Sequence, residues 1–324
     1  MPMRRRAFAA FVVSALGAAA SAASPRTDEG VRLFEERRLS ESCATLEASL
    51  KDDPSDARAA YYLGRVLMAE DDLDAARPWF ERAVELDPGS SEKQQWLGRC
   101  LGFVAARGSF LKMTAMAPKI RRAFERAVDL DPDNVEARLD LLEYYVQAPA
   151  IMGGSHEKAR RQADEIARRD KMRGYRAEGR IEDHEKHFEA ALALYAKAAA
   201  EFPADIEPAL WASNIGVAHR DYKKAFEPLD AFLARNPGNM PVRFHLGRVC
   251  ALSGQRLEKG EEFLHAYLDW KPGRDDPQRP QALLRLAQIC EKRGDRTAAR
   301  RAYEDALQLD ASLKDCREGL KRVS

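Results

Sequence analysis

Within His184-Glu185-Lys186-His187, two imidazoles and a carboxylate lie close enough along the chain to share a metal ion. The two histidines stand three apart, however, whereas the zinc-binding H-E-x-x-H helix needs them four apart on one face. The segment reads instead as a solvated bend between two helices, and no metal is expected. Gly153-Gly154-Ser155, just ahead of a helix start, leaves two options. Its backbone N–H groups gather around an anion, or it is a tight turn with Ser155 as the helix cap. Five cysteines without a C-x-x-C pair exclude a zinc ribbon, and an odd number cannot pair completely, so they are expected as small core fillers. A phosphate-binding G-x-x-x-x-G-K-[ST], a dinucleotide G-x-G-x-x-G after a strand and a nucleophile G-x-S-x-G are all missing from the sequence. No catalytic residue and no cofactor is expected, and the chain reads as something other than an enzyme.

Composition narrows the class further. Charged residues make up 32% of the chain and hydrophobic ones 45%, the balance of a folded protein and not of a disordered one. Lys and Arg number 53 against 52 Asp and Glu, for a net charge of +1, without the basic excess that a dedicated nucleic-acid binder shows. The chain opens MPMRRR, continues through an apolar run from Ala7 to Ala20, and reaches a small-x-small site at Ala20-Ser21-Ala22. That is the grammar of a secretory signal peptide over residues 1–22. The run spans only about 21 Å as a helix, short of the ~30 Å hydrocarbon core, so it is read as a cleaved leader and not as an anchor. Arg5-Arg6-Ala7-Phe8 also fits a twin-arginine core, but Arg4 holds the usual Ser/Thr place and no Lys follows, which favours the general export route. A periplasmic location is expected, with no stable membrane span in the mature chain.

Proline punctuates the rest: Pro54, Pro88, Pro132, Pro203, Pro237 and Pro272 are spaced 34, 44, 71, 34 and 35 residues apart. Between these stops the apolar residues recur with helical period and never alternate as strands do. The same small and large positions return in each segment. Leu63-Gly64 is followed by Ala76, Phe80 and Ala83; Gly179 by Ala191, Tyr195 and Ala198; Ala287 by Ala299, Tyr303 and Ala306. Small residues suit the close crossing of two helices in a hairpin, and the aromatic fills the space beside it. A lone hairpin of this length cannot hide enough apolar surface, so the units must stack. About eight are expected within residues 23–324, starting near 27, 57, 91, 135, 172, 206, 240 and 280, the first degenerate, with a polar capping helix over 312–323.

This pattern resembles the tetratricopeptide repeat family, almost fully at 57–90 and recognisably across 27–311. Lys171 stands where a unit would carry proline, and Leu142 and Ser213 replace the glycine of the first helix. The resemblance implies an all-α, right-handed superhelical solenoid of antiparallel helix pairs, acting as a protein–protein interaction scaffold. The stretch from Tyr144 to Ala159 is also similar to one in exported bacterial repeat proteins of unassigned activity.

In that family the second, fifth, ninth and twelfth positions of each unit line a concave surface that holds peptides. Here these positions give Arg58, Tyr61, Arg65, Gln95, Arg99, Leu139, Glu143, Arg173, Arg176, Arg180, Leu210, Asn214, Phe244, Arg248, Leu284 and Gln288. Arginine recurs at the ninth place, in Arg65, Arg99, Arg180 and Arg248, which suits an extended, acidic protein partner because the guanidinium fork matches carboxylates. The alternative is that these arginines pair with glutamates of neighbouring repeats. A second candidate surface is the excess length at 103–118, carrying Phe103, Phe110, Leu111, Met113 and Met116. It either projects toward a partner or a second copy of the chain, making the protein a structural subunit of an envelope assembly, or folds back as core. The oligomeric state stays open.

Overall fold

The computed structural model describes residues 24–273 and 276–323; the leader read at 1–22 lies outside the described residues. Two compact units divide at Asp131/Pro132. The first holds α1 (Pro25–Glu35), α2 (Leu39–Asp52), α3 (Ala57–Ala69), α4 (Leu73–Leu86), α5 (Ser91–Ala106) and α6 (Phe110–Leu130). The second begins with α7 (Val135–Gln147), a 3-10 turn (Ala150–Met152), α8 (His156–Arg169), α9 (Lys171–His184), α10 (Phe188–Glu201) and α11 (Glu207–Ala218). It continues through α12 (Tyr222–Arg235), α13 (Met240–Ser253), α14 (Leu257–Leu268), α15 (Arg279–Arg293), α16 (Arg296–Leu309) and α17 (Lys314–Val323). Among the described residues there is no strand, as the helical periodicity predicts.

Short polar side chains start these helices. Asp56 accepts from the N–H groups of Arg58 and Ala59, Asp72 from Ala75, Asn134 from Ala137, Asp221 from Lys224 and Asp295 from Ala298. The turn inside a pair is closed by one residue in the left-handed region: Asp71, Lys186 and Arg220 at φ 68°, 65° and 57°, and Gly294 at φ 82°. Proline is less absolute a stop than its spacing suggests, since Pro78, Pro118 and Pro228 lie inside α4, α6 and α12. Where Lys171 replaces proline, Asp170 alone serves as the C-cap of α8 and the N-cap of α9, so those helices join without a linker.

Within each unit every helix packs on the next, and first helices also touch the first helix of the following pair: α1 on α3, α7 on α9, α9 on α11, α11 on α13, and α13 on α15. The recurrent small and large residues are where packing demands them. Ala76, Phe80 and Ala83 are fully buried, as are Ala191 and Ala198 beside a 2% exposed Tyr195. A Cβ at Gly179 would fall 2.3 Å from the Tyr195 ring, and one at Gly98 2.6 Å from Phe124. The cysteines behave as fillers: all five are free thiols and Cys100, Cys250, Cys290 and Cys316 are buried. At the end of the second unit, α17 covers α16 and α15, burying Cys316, Gly319 and Val323.

The extra length at 103–118 is not a loop. It prolongs both helices of the third pair, to 16 residues in α5 and 21 in α6, around a turn where Ser109 caps α6 through the Lys112 N–H. The strongest helix breakers between Phe103 and Pro118 are a single glycine and that capping serine, so the chain keeps its helical ladder almost to the tip.

Candidate functional site

In the first unit the stripe residues of α3 and α5 gather against α1, but they bind one another. The Arg65 guanidinium lies 4.3 Å from the Trp96 ring centre, 4.9 Å from Phe34, 5.6 Å from Tyr61 and 5.7 Å from Tyr62. It donates to the Tyr61 hydroxyl at 3.3 Å, which donates to Glu92 at 2.7 Å. Burial, above all, raises the Tyr61 pKa and keeps the phenol neutral. Arg58 pairs with Asp28, and Arg99 rests 5.0 Å over Trp96. Tyr61 and Gln95 are only 2% and 4% exposed, so they fill the interior instead of lining an open surface. The rings of Phe34, Tyr62 and Trp96, which hold Arg65, lie outside the stripe that the sequence singled out.

In the second unit the arginines divide into two kinds. Arg173 pairs with Glu136 and Arg180 with Glu143, each a carboxylate on α7, the preceding first helix. The Glu143 hydrogen bond raises the Arg180 pKa against the opposing effect of burial. Arg176 lies 5.9 Å over Trp211. On these helices the alternative of neutralised arginines holds.

Further along, Arg248 of α13 finds only the Asn214 amide oxygen on α11, at 3.0 Å. Arg285 of α15 finds only the Gln288 amide oxygen, at 2.9 Å, and its Nε is buried without a hydrogen-bond partner. Among the described residues neither has a carboxylate within ion-pair distance. Burial lowers the pKa of both guanidiniums; the neighbouring Arg285 lowers Arg248 further, while the Asp315 carboxylate of α17 opposes the shift at Arg285. His245, beside them on α13, is pushed down to about 4, by burial first and by Arg248 second, and is therefore neutral at pH 7. Phe244 is buried at 5% exposure and Leu210 packs half-buried against the same core, so neither stands free as an anchor. The sequence stripe named Arg248 and Asn214 but not Arg285, which lies one turn ahead of the stripe position at Gln288.

The prolonged α5–α6 tip splits in two. Phe103, Phe110 and Leu111 are 53%, 68% and 79% exposed, whereas Met113 and Met116 are half-buried, Met116 against the core of the first unit. The Gly153-Gly154 turn closes through backbone bonds, with Gly154 N–H donating to Pro149 O and Ser155 capping α8 through the Lys158 N–H. No helix among the described residues is long and apolar enough to cross a membrane.

Tetratricopeptide repeat family models match residues 27–91 and 280–313, one in each unit. No curated protein matches the chain. Among solved structures, yeast Tom70 is similar at a TM-score of 0.62 and 15% identity, over 88% of this chain and 58% of that one. This chain thus spans less than two thirds of the Tom70 chain. A tetratricopeptide repeat protein from Parabacteroides merdae is similar at a TM-score of 0.52 and 9% identity, over 92% and 97% of the two chains. At such identities the likeness speaks for the fold, and it agrees with the repeat models and with the glycine–aromatic packing of the helix pairs: the chain carries tetratricopeptide repeats in both units, on a helix-pair fold like that of tetratricopeptide-repeat proteins.

Proposed function

We propose that this chain is a non-catalytic scaffold that captures an extended, acidic protein segment on the second unit, against the first helices α11, α13 and α15. Tetratricopeptide repeat proteins generally mediate protein–protein interactions. The observation that carries the finer reading is the Arg248–Arg285 pair, two half-buried guanidiniums held by amide oxygens alone. A carboxylate arriving there gains charge-assisted hydrogen bonds without having to displace an internal carboxylate, unlike at Arg173 or Arg180. The basic start and the small-x-small site at 20–22 support export, with the periplasm as the place of action.

Fluorescence anisotropy with an Asp/Glu-rich peptide and its Asn/Gln counterpart tests this reading. Arg248→Glu with Arg285→Glu is expected to weaken the acidic peptide by at least roughly tenfold, since a hydrogen bond to a charged group contributes about 1.5–3 kcal/mol. Arg173→Glu is expected to have a smaller effect. Equal affinity for the two peptides, or no loss in the double variant, would overturn it.

A second reading, a structural subunit that self-associates, is favoured by the exposed Phe103, Phe110 and Leu111 at the α5–α6 tip. It requires the full chain to scatter light as an oligomer and Phe110→Asp to return it to a monomer; a monomeric wild type removes it.

A further inference from the structure

We propose that Glu182, Glu185 and His187 form a binding site for a divalent transition-metal ion of the zinc class, with His156 holding the outer oxygen of Glu185. Four of the six histidines, His156, His184, His187 and His219, belong to the start of α8, the end of α9, the turn into α10 and the residue after α11. Glu182 and Glu185 sit one turn apart where α9 ends. Lys186 at φ 65° then reverses the chain, and the His187 N–H donates to the Glu182 carbonyl at 2.8 Å. The imidazole is thereby folded back over both carboxylates.

The resulting geometry fits an ion. His187 Nδ1 is 2.9 Å from Glu182 Oε2 and 3.6 Å from Glu185 Oε2. One ligand atom from each of the three residues lies within 4.8 Å of the others. Bonds of about 2.0–2.2 Å in tetrahedral arrangement separate ligand atoms by about 3.3–3.5 Å, between the two separations found here. The carboxylates are only 19% and 18% exposed, while the imidazole reaches solvent. The other oxygen, Glu185 Oε1, is 2.7 Å from His156 Nδ1. A ligating carboxylate is commonly oriented by such an outer partner. Two carboxylates and an imidazole leave a fourth position for water, and the mixed N/O set suits zinc and its late first-row neighbours better than magnesium or calcium.

The competitor is a tethered cation. Arg160 Nη1 is 3.2 Å from Glu182 Oε1, and its Nη2 is 2.6 Å from Glu185 Oε2. Its side chain is 49% exposed, but it bridges two carboxylates that are 19% and 18% exposed, so an entering ion has to displace it. The nearby His219 faces Asp183 at 3.4 Å and is not part of the set.

The test is calorimetric titration of zinc chloride into the chelator-treated full chain, with cobalt substitution to read the coordination spectroscopically. One ion per chain with micromolar affinity is expected. His187→Ala and Glu185→Gln should weaken it at least about tenfold, and His156→Ala by about tenfold through the loss of an outer partner. Arg160→Gln should tighten it severalfold, because the internal competitor is gone, and His219→Ala should leave it unchanged. Circular dichroism establishes that each variant is folded. Absence of saturable one-to-one uptake, wild-type affinity in His187→Ala, or no tightening in Arg160→Gln would overturn the assignment; the last two separate it from adventitious binding to surface histidines.

Discussion

Phe80→Ala is expected to destabilise the first unit by roughly 3–5 kcal/mol, in the upper range for truncating a buried aromatic. The ring is fully buried, stacks on Trp96 with centroids 6.3 Å apart and planes 16° apart, and meets the edge of Tyr61 at 6.2 Å. It lies so close under Gly64 that a Cβ there would be 3.2 Å away. Tyr61 and Trp96 are rigid rings and Gly64 offers only helix backbone, so these neighbours refill the space poorly. The loss also reaches α3 and α5, whose stability depends on α4 between them. Urea denaturation followed by circular dichroism, with hydrogen exchange of α3–α5, measures it. A change below about 1 kcal/mol would mean that the ring is not filling the crossing between the pairs.

Gly216→Val is expected to cost at least roughly 3 kcal/mol in the second unit, above the usual range for overpacking. A Cβ at this position would lie 2.4 Å from the Ala225 backbone nitrogen and 2.8 Å from its Cα. The obstacle is the main chain of α12, which no rotamer change can remove, so α11 and α12 would have to separate along their length. A branched side chain widens the gap beyond what a methyl group asks. Gly238→Ala is the control: a Cβ there meets nothing within 4 Å, and its effect is expected to stay within about 0.5 kcal/mol. Thermal unfolding of the two variants side by side gives the comparison, and equal melting temperatures would refute the close approach.

The helix pairs were legible because their determinants are local. Gly64 with Phe80, and Gly179 with Tyr195, meet across one hairpin, and a spacing of sixteen residues in each case survives in the sequence as a repeated motif. The arginines were legible only as a stripe. Whether Arg173 and Arg180 are free depends on Glu136 and Glu143, each 37 residues upstream at the same height on the preceding first helix. That separation is close to one repeat, so a search for acidic residues one period before each arginine would have found both pairs, and Asp28 for Arg58, 30 residues before it. Arg285 escaped because it projects from one turn ahead of the stripe. The Glu182–Glu185–His187 cluster escaped because a reverse turn, and not helical spacing, brings His187 back over the acids. At 103–118 hydrophobicity alone left a projecting surface and packed core both open, and the two prolonged helices divide them: Met113 and Met116 are half-buried, whereas Phe103, Phe110 and Leu111 at the tip are bare.

Arg173 and Arg180 fasten α9 to α7 at two points seven residues apart, about 10 Å along the axis. Each pair contributes at most about 1 kcal/mol, so together they favour one register of α9 on α7 without locking it. Between α11 and α13 the corresponding tie is a single bond from Arg248 to an amide. The register of α9 on α7 is therefore set in part by charge and answers to ionic strength, whereas α11, α13 and α15 are held by the apolar core that Ala209, Phe244 and Leu284 share, which salt does not screen.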